Sequence, residues 1–277
     1  MSSDFAILAL FLFVPADRPD RWPKAFVSGA DAVILDLEDG VAAPSKPGAR
    51  RALREGRDAI DAAQCPVLAR VNARSSNDYS LDLDAVRDLG LAGVMLAKAE
   101  TAADVEGASA ATGAPVVALI ETARGLAAAR LIAAACARIA FGSIDFAADL
   151  GTAHTPAALA SARSELVLAS RLADRSAPID GVTTSIKDPD LIRADAARAC
   201  ELGFSGKLLI HPAQIAPAMD GFRPSGDDVA WAERILSARG VLGAAAIDGA
   251  MVDAPVFLRA EQILRRAARF RLPAGAS

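Results

Sequence analysis

Aromatic side chains are scarce: ten Phe, two Trp and one Tyr make up 5% of the 277 residues, in a chain that is 53% hydrophobic. Its apolar bulk therefore comes from Ala, Leu and Val, and that much of it excludes a disordered chain. Cysteine is scarce too. Cys65, Cys136 and Cys200 are an odd number without a Cys-x-x-Cys spacing, which argues against a disulfide framework and for reduced, buried thiols in a cytoplasmic protein. Only two histidines occur, His154 and His211, and no Cys/His cluster, so a zinc site is not expected. Basic residues are not in excess (30 against 34 acidic, net charge −4), which speaks against a nucleic-acid partner. No apolar run is long enough to cross a membrane, which takes about 20 residues. The longest at the start, 5–14, follows Asp4 rather than a Lys/Arg cluster, lacks a small-residue cleavage site and stops at Pro15. It reads as a buried strand rather than a signal or membrane segment.

What is present is alternation. Short continuous apolar runs at 11–16, 32–39, 67–72, 93–100, 115–122, 138–145, 179–184 and 206–212 predict strands covered on both faces, as parallel strands are. Between them, segments of helical period predict helices at 46–62, 101–112, 124–135, 156–175 and 189–202. Ser45, Thr155 and Asp188 stand as N-caps before prolines, and Gly203 as a C-terminal stop. Eight strands at about 25 residues per unit predict an α/β fold of the (β/α)8 TIM-barrel type. The alternative, a doubly wound sheet with a dinucleotide site, lacks its glycine-rich turn: the first strand runs into Pro15-Ala-Asp-Arg-Pro19. The predicted organisation is a catalytic barrel over 1–222 and a C-terminal helical extension over 223–277, available to cover the mouth or reach a neighbouring subunit.

In a barrel, catalytic groups gather at the C-terminal ends of the strands. Those ends carry Asp36, Glu38 and Asp39, then Arg70 and Asn72, Lys98 and Glu100, Glu121, Asp145, Thr183 and Thr184, and His211. Charges converging on one mouth need partners, and a divalent cation with an anionic substrate would supply them. Glu121 and Asp145 on adjacent strands suit an oxygen-preferring ion, Mg²⁺ first. Arg70 suits the bidentate grip of a carboxylate. Each has a plainer reading: a helix cap or lysine partner for either carboxylate, a structural ion pair for Arg70. Asp36, Glu38 and Asp39 read as supporting or loop-ordering groups, His211 as a hydrogen-bonding residue at a helix start, and His154 as an exposed loop residue. No Gly-x-Ser-x-Gly elbow, Cys/His pair or P-loop is present, and Lys98 as a Schiff-base former yields to the carboxylate-rich metal reading.

The runs Phe11-Leu-Phe-Val-Pro-Ala-Asp-Arg-Pro-Asp-Arg-Trp-Pro-Lys24, Gly29-Ala-Asp-Ala-Val-Ile-Leu-Asp-Leu-Glu-Asp39, Ala69-Arg-Val-Asn72, Val117-Ala-Leu-Ile-Glu-Thr-Ala-Arg-Gly125, Phe141-Gly-Ser-Ile-Asp-Phe-Ala-Ala-Asp149, Gly206-Lys-Leu-Leu-Ile-His-Pro-Ala-Gln214 and Met251-Val-Asp253 carry a resemblance. In order along nearly the whole chain, the sequence resembles the citrate lyase β-subunit-like branch of the HpcH/HpaI aldolase superfamily, the CoA ester lyases. The resemblance implies a Mg²⁺-binding barrel that makes or breaks a C–C bond between an acyl-CoA and a 2-oxoacid. It implies Glu121 and Asp145 as metal ligands, Arg70 on the oxoacid carboxylate, and Asp36 and Glu38 ordering water on the metal. Phe13, Arg18 and Lys24 would contact CoA. Asp253 would be the acid/base, delivered from the tail of a neighbouring subunit in a homo-oligomer, a trimer or hexamer. Two positions depart from the family pattern: Ala9 replaces an arginine before the first strand, which bears on the CoA contacts, and Ala97 replaces the proline of Leu-Pro-Lys.

The expected reaction is a retro-Claisen (aldol-type) cleavage of a malyl-CoA, citramalyl-CoA or citryl-CoA type substrate to acetyl-CoA and a 2-oxoacid. Arg70 fixes the carboxylate and Asp253 protonates the acetyl-CoA enolate. Alternatives are a citrate lyase β subunit acting on an acyl-carrier-protein thioester, a CoA-independent aldolase of 2-oxo-4-hydroxy acids, and a non-enzymatic binder of CoA esters.

Overall fold

A computed structural model describes residues 7–239, 245–247 and 250–270. The chain divides into two compact units, 1–218 and 219–277. In the first, eight strands close a barrel in chain order: β1 (Leu10–Pro15), β2 (Ala32–Asp36), β3 (Val67–Val71), β4 (Gly93–Leu96), β5 (Val116–Ile120), β6 (Arg138–Phe141), β7 (Ile179–Asp180) and β8 (Gly206–Leu209). Every pair in the ring is parallel, β8 returning to β1, so the predicted TIM barrel is the fold of this unit. The apolar runs form strands because both faces are buried. Inside, Phe11, Ile34, Leu68, Met95, Val117 and Leu119 fill the barrel. Outside, the surrounding helices bury alanines, among them Ala49, Ala108, Ala129, Ala133, Ala169 and Ala196. Small side chains allow helix backbones to approach a sheet closely.

The N-terminal end of the barrel is closed by Arg138, fully buried, whose guanidinium donates to Leu8 O (2.6 Å), Ala177 O (2.8 Å) and Ser205 Oγ (3.0 Å). It joins the starts of three chain segments and contributes to stability rather than chemistry.

All eight expected strands form, but several stop early. β4 ends at Leu96, which leaves Lys98 and Glu100 in the following loop, and β7 is two residues long. The expected strand 138–145 ends at Phe141, so Asp145 belongs instead to the first turn of the helix Ser143–Leu150. The helix expected over 46–62 breaks at Gly56, where a Cβ would lie 2.4 Å from the buried Trp22 ring, giving Lys46–Glu55 and Arg57–Asp61. Asp188 caps the helix Pro189–Glu201 by accepting from Leu191 N, and Gly203 follows with φ +100°. Thr155 instead orders a turn, accepting from Ala158 N, and its helix starts at Ala160.

The second unit is built on two packed helices, Gly226–Ser237 and Ala254–Arg269, with a hairpin of β9 (Ala245–Ile247) and β10 (Ala250–Val252) before the second. Ala232, Ile235, Val252, Ala260 and Ile263 form its core. Ser225 caps the first helix in a reciprocal pair with Asp228, and Asp253 caps the second.

Candidate active site

Strand parity explains how the sequence builds the site. Side chains two apart share a face, so above the apolar layer of Phe11, Ile34, Leu68 and Leu119 the next inward positions are Phe13, Asp36, Arg70 and Glu121. Asp36 and Arg70 are direct neighbours across β2 and β3. Arg70 donates through Nε (2.7 Å) and Nη2 (2.6 Å) to the two Asp36 oxygens, and its Nη1 lies 2.7 Å from Glu38 Oε2. Its guanidinium also lies 4.7 Å from the centre of the Phe13 ring. Burial opposes the charge on Arg70, but Asp36 and Glu38 outweigh it and raise its pKa, so it is charged at any working pH. Asp36 is itself held by the backbone N–H groups of Glu38 (2.9 Å) and Gly40 (2.8 Å). A side chain at residue 40 would run into that carboxylate, its Cβ lying 2.3 Å from Asp36 Oδ2.

Glu121 follows β5 directly and is 1% exposed. Its Oε1 accepts from the backbone N–H of Lys98 (2.7 Å), while Oε2 has no hydrogen-bond partner among the described residues. Burial, and then the charge of Glu38, push the Glu121 carboxyl up to about 8, against the pull of Lys98 and Arg70. A group in this condition needs a proton or a cation. Lys98 completes the network, its ammonium 2.5 Å from Glu38 Oε1 and 3.9 Å from Glu121 Oε1.

A cavity of about 420 Å³ opens at the barrel mouth, walled by Phe13, Leu119, Phe141, Val182, Leu208 and Ile210. Asp36, Arg70, Glu121 and Asp145 all border it. Asp145 arrives from helix Ser143–Leu150, which can follow β6 so tightly because residue 142 is glycine; a Cβ there would lie 2.4 Å from Glu121 Oε2. Beside the cavity, a second one of about 530 Å³ is lined by Phe13, Asp20, Lys24 and His211. Arg18 is exposed and forked onto Asp20 (2.8 and 2.9 Å). Asp253 lies in the second unit, exposed at its helix cap.

Other strand-end residues serve the scaffold. Asn72 turns away from the mouth, donating to Leu37 O (2.9 Å) and Asp82 Oδ2 (2.6 Å). Thr183 donates to Asp195, and Glu100 accepts from Thr122. His211 accepts from Ala213 N, the structural role expected of it. His154 is exposed as expected, but it also pairs through Nε2 with Ser143 Oγ (3.0 Å), tying down the loop behind the helix of Asp145. That contact joins residues eleven apart through a loop and has no sequence signature. The same holds for Gly40 and Gly142, whose need appears only once the carboxylates they touch are placed.

The residues suit a hard divalent ion in one specific sense. Glu121 Oε2 is a buried carboxylate oxygen with no partner among the described residues, and Glu121 and Asp145 border the same cavity. No group of three or more His, Cys, Asp or Glu able to hold a metal occurs among the described residues. Two carboxylates are nevertheless what Mg²⁺ takes when substrate and water complete its shell.

The family description HpcH/HpaI aldolase/citrate lyase matches residues 9–212. A citrate lyase subunit beta-like protein of Mycobacterium tuberculosis is 41% identical over 267 residues, 93% of this chain and 94% of the relative. A (3S)-malyl-CoA thioesterase of Cereibacter sphaeroides is 33% identical over 265 residues, 92% of this chain and 93% of the relative. Among solved structures, CitE from M. tuberculosis in complex with magnesium, acetoacetate and coenzyme A superposes with a TM-score of 0.85 at 38% identity, covering 95% of this chain and 100% of that one.

Proposed function

Because the chain belongs to the HpcH/HpaI aldolase/citrate lyase family, we propose that it is a Mg²⁺-dependent carbon–carbon lyase acting on CoA esters. Its substrate is a 3-hydroxyacyl-CoA carrying a carboxylate, of the malyl-, citramalyl- or citryl-CoA type, and its products are acetyl-CoA and a 2-oxoacid. The observation that carries the metal-dependent reading is Glu121 Oε2, buried and without a partner at the end of a mouth lined by Asp145 and Arg70. Magnesium and coenzyme A in the M. tuberculosis relative support the same pairing of metal and thioester here.

Glu121 and Asp145 would hold Mg²⁺, which when bound stabilises negative charge developing on the substrate oxygens. Arg70 fixes the carboxylate of the departing 2-oxoacid; the fork of Asp36 and the contact with Glu38 hold its plane still, which favours one substrate orientation. Asp36 and Glu38 would also order water beside the metal. Phe13 and Lys24 line the adjoining cavity, and Arg18 stands beside it on Asp20, a set suited to the CoA phosphates and adenine. The substrate hydroxyl loses its proton to water as it becomes the carbonyl of the 2-oxoacid, the electron pair of the breaking C–C bond passes to the acetyl-CoA enolate, and Asp253, in its acid form, gives the enolate carbon a proton; in the reverse direction the Asp253 carboxylate removes one. We assign Asp253 to a neighbouring subunit's site, so that the enzyme works as a homo-oligomer, trimer or hexamer, with residues 223–277 as the covering segment. No described helix is long and apolar enough to cross a membrane. The free thiols of Cys65 and Cys136 support placing the enzyme in the cytoplasm; burial pushes Cys136 up to about 11 and leaves it inert.

The test is a panel of malyl-, citramalyl- and citryl-CoA with Mg²⁺ or chelator, following 2-oxoacid and free thiol separately because one relative is a thioesterase. Mg²⁺-dependent 2-oxoacid release is expected, with Glu121→Gln and Asp145→Asn folded and down by about a thousandfold or more in kcat/KM. Full activity in either variant, or turnover indifferent to chelation, overturns the assignment.

A further inference from the structure

Lys98 has no part in the roles assigned above, yet it is held in an unusual way. β4 ends at Leu96, and two residues on Lys98 adopts φ +48°, the left-handed region that side-chain-bearing residues seldom enter. From that conformation it touches two carboxylates by two different parts of itself. Its backbone N–H donates to Glu121 Oε1 at 2.7 Å, and its ammonium donates to Glu38 Oε1 at 2.5 Å while lying 3.9 Å from Glu121. The side chain is 35% exposed, so it reaches inward from the rim rather than sitting sealed in the core. Lys98 thereby closes a run of charges, Asp36–Arg70–Glu38–Lys98–Glu121, in which three carboxylates meet two cations.

We propose that Lys98 is the positioning residue of the metal site and its built-in counter-cation. The strained main chain decides which oxygen of Glu121 is tied down, and so which one, Oε2, is left without a hydrogen-bond partner. The ammonium pairs with Glu38 beside Glu121 before a metal arrives, and its repulsion afterwards keeps the metal exchangeable. The proposal rests on the reading that Glu121 and Asp145 hold Mg²⁺.

The two functions separate by substitution. Lys98→Gly keeps the left-handed backbone and its N–H but removes the ammonium, whereas the β-branched Lys98→Val disfavours that backbone as well. Binding of Mn²⁺ to the metal-free full-length protein, read by calorimetry or electron paramagnetic resonance, is the measurement. Lys98→Gly is expected to bind Mn²⁺ about tenfold more tightly than the wild type, since the positive charge 3.9 Å from Glu121 Oε1 has gone. Lys98→Val is expected to bind at least about tenfold more weakly than Lys98→Gly. A purely structural lysine predicts the opposite sign for the first comparison. Lys98→Asn, tolerant of positive φ, stands in if Lys98→Gly does not fold. Binding by Lys98→Gly (or Lys98→Asn) no tighter than wild type, or binding by Lys98→Val as tight as by Lys98→Gly, overturns the proposal while leaving the metal site intact. Wild-type protein that fails to bind Mn²⁺, or Glu121→Gln that binds it as well as wild type, overturns the metal assignment itself.

Discussion

Glu121 shows how one residue joins fold to chemistry. Placed by strand parity in the layer above the barrel core, it is buried, tied at Oε1 by Lys98 and left open at Oε2. The energetic consequence is a pH dependence of the metal-free protein with a definite sign. The ordinary glutamate value is 4.5, and in the metal-free fold burial raises it to about 8. Between those values the folded chain holds a proton that the unfolded chain does not, so this contribution to stability is complete below about pH 4.5 and is lost as pH rises through about 8. At about 1.4 kcal/mol per unit of pKa the loss amounts to a few kcal/mol. In chelator, calorimetry is expected to show the melting temperature falling from pH 5 to pH 8, with added Mg²⁺ restoring it. Glu121→Gln should flatten the profile and be the more stable protein at pH 8. An equal slope in wild type and Glu121→Gln would remove Glu121 as its source. Much of this residue was legible in the sequence: a charge ending an apolar strand has to be answered by something. Its orphan oxygen was not, because that depends on Lys98 taking a positive φ that no pattern announces.

Among the elements, what periodicity encodes came through and what tertiary contact decides did not. All eight strands follow from apolar runs, and the inward set Phe13, Asp36, Arg70 and Glu121 follows from counting by twos. The run 138–145 predicts a strand through Asp145 because Ile144 prolongs the apolar pattern past Phe141, where β6 ends. The chain turns at Gly142, and Ser143 opens a helix there because the close approach to Glu121 admits only hydrogen. The turn after β7 is equally tight: a Cβ on Gly181 would lie 2.2 Å from Ser143 Oγ. These turns are thus packed against one another, and Gly142 sits directly against Glu121 in the turn that leads to Asp145. Gly142→Ala must push its methyl against Glu121 Oε2 and Cβ, at 2.4 and 2.5 Å in the unrelaxed geometry. The expected cost is about 1–3 kcal/mol of stability, measured in urea, from strain of this kind. A loss of Mn²⁺ affinity by about tenfold or more should accompany it. Wild-type metal binding in a folded Gly142→Ala protein would show that the turn does not set the carboxylate's position.

At the scale of the whole molecule the open question is which barrel Asp253 serves. The residue belongs to the second compact unit, where it is exposed and caps the helix Ala254–Arg269 by accepting from Val256 N. Its role as acid/base came from the family resemblance rather than from periodicity, which marks a helix start there and nothing more. The cap also dictates how the test is made. Asn caps as well as Asp, whereas Ala costs about 1 kcal/mol, so Asp253→Asn removes the titratable oxygen without loosening the helix. Co-expressed with Glu121→Ala, it asks whether an active site draws on one chain or two. If each site takes its barrel from one subunit and Asp253 from another, random mixing leaves both intact in about one quarter of sites, in a closed ring of any size. Activity should then return toward about a quarter of wild type, although each variant alone is inactive. If both residues come from the same chain, no mixed site is intact and the mixture stays dead. Native mass spectrometry must show hybrid oligomers for either result to count. Inactive hybrids would overturn the shared site, and a monomer in sedimentation at working concentration would overturn the oligomer itself. The distinction bears on mechanism: under the proposed roles, a borrowed acid would leave Glu121, Asp145 and Arg70 to seat the 2-oxoacid within one subunit, with proton transfer at the enolate carbon depending on the neighbour.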